Sequence, residues 1–324
     1  MHAMLAGVLF ALTAGLMWGL VFVAPLMLPD YPPALLTTGR YLAFGLIALP
    51  LALMDSARLR ELQPADWWAA VRLSAVGNFL YYLTLAAAIQ RAGAPLPTML
   101  IGTLPVVIAV CANHRNRVRD GQLPWARLAP SLLLIALGLA CVNRDELLAL
   151  QARAGDPRRY LEGGLLAVVA VACWTWYPIR NADWLREHAD RSPRAWATAQ
   201  GLVTLPMALL GLAAVGGVQA LWPGQLMPAG FDGPAGPRPW AYVGLMLAIG
   251  LLSSWLGTLC WNEASQRLPT SLSGQLIVFE TLAALAYAFA WNGHWPPPAT
   301  LAGIVLLVAG VIWALRIKPV QHAG

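Results

Sequence analysis

Apolar residues along this chain come in long runs separated by short polar or proline-rich breaks. Ten such runs cover residues 4–28, 34–54, 67–89, 95–112, 124–142, 162–180, 195–216, 239–262, 270–291 and 297–316. Each comes near the roughly 20 mostly apolar residues that carry an α-helix across a bilayer. The pattern predicts an all-α integral membrane protein with ten transmembrane helices. No basic leading region or small-residue cleavage site accompanies the first run, so it reads as a retained span and not a signal peptide. Between Leu28 and Ala34 the chain reads PDYPP, a tight turn, and Arg267-Leu268-Pro269 joins the eighth and ninth runs. Two connections are longer. Residues 143–161 mix Arg with Asp and Glu and divide the chain near its middle. Residues 217–238 are rich in Gly and Pro and predict an irregular loop.

The two halves repeat. Ala88-Ile89-Gln90-Arg91 matches Ala264-Ser265-Gln266-Arg267 at an offset of 176, and Leu96, Leu100 and Ile101 fall on Leu272, Leu276 and Ile277. Gly7 and Trp18 stand eleven apart in the first run, and Gly163 and Trp174 repeat that spacing in the sixth. The expected organisation is one five-helix repeat over 1–142, a connecting loop over 143–161 and a second five-helix repeat over 162–324. Five is odd, so the second copy must sit upside down relative to the first. Inverted repeats that rock about a site near the bilayer midplane are a transporter architecture.

Composition excludes the main alternatives. Hydrophobic residues make up 59% and charged residues 11%, against about 45–50% and about 25% in an average soluble domain. So little charge cannot keep a globule of this size in water. That rules out an ordinary soluble enzyme and a disordered chain. The net charge of +6 would suggest nucleic acid in a soluble protein. Here the arginines flank apolar runs, so no nucleic-acid partner is expected. With the N-terminus in the cytoplasm, 14 of the 21 Lys and Arg flank that side, 6 flank the other, and Arg40 lies within a span. The bias predicts both termini cytoplasmic. Four arginines in 143–161 run against it. Cys111, Cys141, Cys173 and Cys260 form no CxxC, and the five histidines are scattered. Neither a metal nor a cofactor is implied.

The opening GVLFALTAGLMWGLVF, the arginine in PPALLTTGRYLAFGLIALP and the run PTMLIGTLPVVIAV resemble the drug/metabolite transporter superfamily, in its ten-span EamA-type branch. LIVFETLAALAYA and the closing LAGIVLLVAGVIWAL resemble it too, so the likeness extends over essentially the whole chain. It implies export of small metabolites, often amino acids, across a bacterial inner membrane. Where the family often has Glu-Pro in the ninth span, this chain has Glu280-Thr281, while Pro105 keeps the corresponding proline in the fourth.

Charges inside the bilayer are costly, about 2.5–3.5 kcal/mol at a helix centre on insertion scales, so each one asks for a cavity or a partner. Glu280 lies near mid-depth of the ninth run. It reads either as a carboxylate that titrates or binds a substrate amine, or as a packing acid held by neighbouring polar groups. Arg40, in the second run, reads either as a clamp for a substrate carboxylate or phosphate, or as a fixed ion pair. Gln275, Asn78 and Tyr82 are the expected polar neighbours of Glu280 around a substrate, and Trp18 and Trp174 lie deep enough to wall a cavity. Trp67, Trp68, Trp240, Trp291 and Trp295 suit the interfacial belt instead. Glu263 and Arg267 share a helix face as an ion pair. Gly7, Ala11, Gly15 and Gly19 form a close-packing stripe. Pro25, Pro105 and Pro178 break backbone hydrogen bonding within or near spans.

No P-loop, GxSxG, HExxH or paired-carboxylate motif occurs. The expected function is a secondary transporter, working by alternating access on a small-molecule substrate, with membrane lipid as its other partner. Protons as coupling ion stay open, since a uniporter or exchanger needs no titrating group. A facilitator or importer of the same fold, and a membrane-embedded enzyme, are the competing readings. A monomer already contains a complete inverted pair, so no particular oligomer is implied.

Overall fold

A computed structural model describes residues 2–22, 27–28, 30–92, 95–115, 123–144, 157–222, 224, 227, 231, 235–293, 295–317 and 320. The described chain is helical almost throughout. Helix α1 covers His2–Gly19 and ends in a 3-10 turn at Leu20–Phe22; α2 covers Pro33–Met54 and α3 Ser56–Leu59. Helix α4 (Pro64–Ser74) passes through a π-helical stretch, Ala75–Leu80, into α5 (Tyr81–Ala92). Next come α6 (Pro95–Gly102), α7 (Leu104–Arg115), α8 (Trp125–Val142), α9 (Pro157–Glu187) and α10 (Pro193–Leu221). Helix α11 (Pro239–Ile249) runs through a second π-helical stretch, Gly250–Leu256, into α12 (Gly257–Arg267). Helices α13 (Thr270–Leu276), α14 (Val278–Asn292) and α15 (Pro298–Leu315) complete the series.

Local chemistry explains the starts. Helices α2, α4, α10, α11 and α15 open with proline in the first turn, where its missing N–H would be unsatisfied anyway. At α4 the Gln63 N–H donates to the Asp66 carboxylate at 2.8 Å, one arm of a capping box. At α10 the Ala195 N–H donates to the Ser192 hydroxyl at 3.4 Å.

Among the described residues seven helices are long and apolar enough to cross a membrane, and Ala3–Gly19 is a shorter apolar helix. The expected count of ten is not reached by that measure. The fourth run is broken at Thr103 into pieces of 8 and 12 residues. Two loop boundaries are also corrected. The irregular loop expected from 217 starts later, because α10 continues to Leu221. The connector expected over 143–161 ends earlier, because α9 begins at Pro157; its middle, 145–156, lies outside the described residues. Pro105 sits in the first turn of α7, just after the Thr103 break. The ninth run breaks at Ile277, three residues before Glu280, with no proline there. Pro178 lies inside the uninterrupted α9, and Pro25 lies outside the described residues.

Packing joins the halves of the chain. Helix α1 packs on α12 and α14, and α9 packs on α5 and α6. Helices α2 and α10, α7 and α13, and α8 and α15 pack pairwise. Small residues permit the close approaches. A Cβ on Gly19 would lie 2.7 Å from the Ala283 Cβ, and one on Gly303 2.7 Å from the Gly138 carbonyl oxygen. These contacts follow the rule that membrane helices associate through small residues that let backbones approach. Trp68, Trp240, Trp291 and Trp295 are exposed, whereas Trp67 packs partly into the core.

Candidate functional site

An aromatic cluster occupies the space between α1, α5, α9 and α12. Trp174 stacks on Tyr81 at 4.7 Å and on Tyr177 at 5.2 Å between ring centroids. Its edge meets Trp18 at 5.7 Å, and Trp18 meets Trp261 at 5.2 Å. Trp18 can enter because α12 starts with Gly257, whose added Cβ would lie 2.8 Å from the indole Nε1. Tyr82 lies edge-on to Tyr81 at 6.4 Å, and Tyr41 packs on Phe79 at 4.9 Å. The Tyr41 hydroxyl donates to the backbone carbonyl of Asn78 at 3.4 Å. Asn78 itself lies in the π-helical stretch, half-buried.

Two opposite charges meet this cluster. The Arg40 Nε donates to the Ser254 hydroxyl at 3.0 Å, and its guanidinium lies 5.2 Å from the Tyr41 ring centroid. Arg40 is close enough for its charge to act on Glu280, Tyr41, Tyr81 and Tyr82, and Glu280 acts in turn on Tyr81. Glu280 enters in the first turn of α14, next to the place where α1 comes closest. A Cβ on Gly15 would lie 3.1 Å from the Glu280 backbone nitrogen. Both side chains are half-buried, and among the described residues neither makes an ion pair within 4.0 Å. The arrangement brings together Glu280, Arg40, Tyr82, Trp18 and Trp174, with Asn78 beside them through Tyr41.

Gln275 goes elsewhere. It is fully buried, accepts a hydrogen bond from Ser131 at 2.6 Å and donates to the Ser271 carbonyl at 3.4 Å. Ser131 also donates to the Gly310 carbonyl at 2.9 Å. Gln275 therefore ties α13 to α8, and its hydrogen bonds run to Ser131 and Ser271 and not to Glu280, five residues away in sequence. The break at Ile277 separates the two faces.

A polar layer lies at the end of the bundle formed by the start of α4 and the close of α7, α9 and α12. The Tyr177 hydroxyl donates to Gln200 at 2.8 Å, and Gln200 donates to Asn181 at 3.2 Å. Asn181 also accepts from the Trp196 indole at 2.8 Å and donates to Asn262 at 2.8 Å. Farther out, buried Asp55 pairs with Arg194 at 3.1 Å, and Asp183 with Arg115 at 2.8 Å and Arg180 at 3.2 Å. Glu61 pairs with Arg191 at 3.1 Å. Arg186 donates to the carbonyls of Ser265 and Leu268, and Glu263 pairs with Arg267 as expected. Sequence reasoning passed over Asn181, Trp196 and Gln200. Gln200, an amide inside the apolar run 195–216, was the signal that could have found this layer.

Residues 5–116 match the EamA-like transporter family. Over 320 residues the chain is 54% identical to the inner membrane protein YtfF of Escherichia coli K12, covering 98% of this chain and 97% of that protein. The chain belongs to the EamA-like transporter family. With that family comes the drug/metabolite transporter superfamily, and with the YtfF likeness a multi-pass place in the inner membrane. A shorter likeness, 36% identity over 98 residues, links 29% of this chain to 33% of a Streptantibioticus cattleyicolor protein named "Probable terminal-alkyne amino-acid exporter". A solved crystal structure aligns over 95% of this chain and 96% of its own, with a TM-score of 0.70 at 19% identity. That last likeness is one of fold alone. In this EamA-family chain Arg40 and Glu280 lie on helices long and apolar enough to span the membrane.

Proposed function

We propose that this protein is a secondary transporter exporting small zwitterionic metabolites, such as amino acids, by alternating access. The observation that carries the reading is the Arg40–Glu280 pair. Two opposite charges stand within electrostatic reach inside an aromatic chamber, without an ion pair between them among the described residues. Charged side chains within a membrane span are costly and call for a cavity or a partner. A solute bearing both an ammonium and a carboxylate would compensate both at once. Its amine would face Glu280 and its carboxylate Arg40, whose planar fork matches carboxylate geometry. Trp18, Trp174, Tyr81 and Tyr82 would cover its apolar part. Glu280 is also the group that could exchange a proton for the solute's amine and so couple export to a proton gradient.

Alternating access rests on the ten-span reading, with inverted five-helix repeats over 1–142 and 162–324 joined by 143–161. Two observations support it. The π-helical stretch starting at Gly250 follows the one starting at Ala75 by 175 positions, close to the sequence offset. The packing of α1 on α12 has its counterpart in that of α9 on α5. With both termini cytoplasmic, the ion-paired end would be the cytoplasmic gate in its closed state.

The test is efflux from proteoliposomes loaded with amino acids, nucleosides and small organic cations, read by mass spectrometry with and without a proton gradient. Selective efflux of amino acids is the expected result. Efflux of cations lacking a carboxylate, equally fast in wild type and in Arg40→Gln, would overturn the zwitterion reading.

A further inference from the structure

Between α4 and α9, near the ion-paired end of the bundle, lies a half-open cavity of about 300 Å³. Arg72, Arg180, Trp176, Asp66, Asp183 and Glu187 contribute to its walls. Two features set it apart from the aromatic chamber. First, Arg180 lies on a lipid-facing stripe and Arg72 is exposed one turn from an exposed indole. Arg72 shares a helical face with Trp68, four positions earlier in α4. Arg180 shares one with the exposed Trp176, Val169 and Leu165. Trp68 and Trp176, both exposed, mark the boundary where indoles prefer to sit.

Second, the positive charge at that depth is under-compensated. Asp66 is already engaged: it accepts from the Gln63 N–H at 2.8 Å and the Trp184 indole at 3.0 Å, and it faces His188 at 3.6 Å. Asp183 is one carboxylate shared by two guanidiniums, Arg115 and Arg180. Arg191, also on the wall, pairs with Glu61 and Asp190. Arg72 has no ion pair or hydrogen bond among the described residues. Glu187 lies seven residues beyond Arg180, roughly 10 Å farther toward the helix end, and does not compensate at the same level.

A guanidinium on a lipid-facing stripe, next to a cavity at the membrane boundary, is built for one kind of anion. We propose that Arg72 and Arg180 hold the phosphate of a phospholipid headgroup in this cavity, with its acyl chains along the apolar stripe above Arg180. Arginine presents parallel N–H donors to phosphate oxygens. Basic pockets between transmembrane helices are a recognised headgroup environment. The apolar stripe above Arg180 distinguishes a lipid from free phosphate, which would have no use for it. The inference rests on the membrane family and this geometry, not on what the protein transports.

The experiment uses the full-length protein in mild detergent and native mass spectrometry. The probes are phosphatidylglycerol, phosphatidylethanolamine, diacylglycerol and inorganic phosphate. Both phospholipids should leave a retained adduct, and diacylglycerol should not. Arg72→Gln combined with Arg180→Gln should cut the adduct about tenfold, while Arg127→Gln, an exposed arginine elsewhere, should leave it unchanged. In wild type, phosphatidylglycerol should slow hydrogen exchange in 65–76 and 176–188, a readout that needs no variant to fold. Equal adducts in the double variant, equal retention of diacylglycerol, or no protection of those two segments would each overturn the site. Inorganic phosphate displacing the lipid at equal concentration would overturn the lipid as its occupant.

Discussion

At the scale of single residues, burial and pairing separate side chains that look alike in sequence. Glu280 and Gln275 are both polar residues of one apolar run, yet only Gln275 has its hydrogen bonds filled by protein. Glu280→Gln is therefore expected to abolish transport, or uncouple it from the gradient, while the melting temperature in detergent stays near wild type. Normal, still pH-dependent transport by that variant would remove Glu280 from the mechanism. Gln275→Leu should do the reverse. It loses one interhelical hydrogen bond, about 0.6 kcal/mol on average in a membrane protein, and should lower stability slightly while efflux persists. Trp196 is more costly to change. It is fully buried, stacks on Trp184 at 3.5 Å and donates to Asn181. Trp196→Ala should cost about 3–5 kcal/mol, read as a large drop in thermal stability whatever the substrate.

At the scale of elements, close approach matters more than hydrophobicity. Every helix of this chain is apolar somewhere, so apolar character alone does not choose partners inside lipid. Glycine does. Gly19 on α1 meets Ala283 on α14, whereas a Cβ on Gly244 would meet nothing within 4 Å. Gly19→Val should push α1 away and cost about 1–3 kcal/mol by overpacking, with transport falling as Trp18 shifts. Gly244→Val should be silent in both thermal unfolding and efflux. The two π-helical stretches are the other element-scale device. Each changes the register of a long helix next to the chamber, placing Asn78 in one and Ser254, the partner of Arg40, in the other. Single-turn π segments of this kind recur at functional sites.

At the scale of the whole molecule, polar closure is concentrated at one end. Asp55–Arg194 and Glu61–Arg191 tie α10 and its lead-in to the loop after α2. If that end is a gate, weakening it should shift the population toward the state open there, by as much as the pairs favour closure. Asp55→Asn with Glu61→Gln is expected to raise the labelling rate of a cysteine placed at Thr258 by a membrane-impermeant thiol reagent applied from that side. An unchanged rate in folded protein would argue against the gate.

Some of this was legible in the residues alone, and the reason is physical. Lipid leaves backbone polar groups no partner but the helix itself, so long apolar runs determine helices and their approximate limits. The rarity of charge within those runs singled out Glu280 and Arg40 as candidates, and the offset of 176 is what leads to the expectation of two repeats. Spacing along the chain cannot say which face of a helix meets which neighbour, and there the tertiary structure decided. The break at Ile277 turned Gln275 toward Ser131, out of the chamber where sequence proximity had put it. Nothing in the residue pattern marks Asp55, Asp66 and Asp183, and it is packing that buries them against Arg194, Trp184 and Arg115. Such partners lie far apart in sequence, and only the fold brings them within reach.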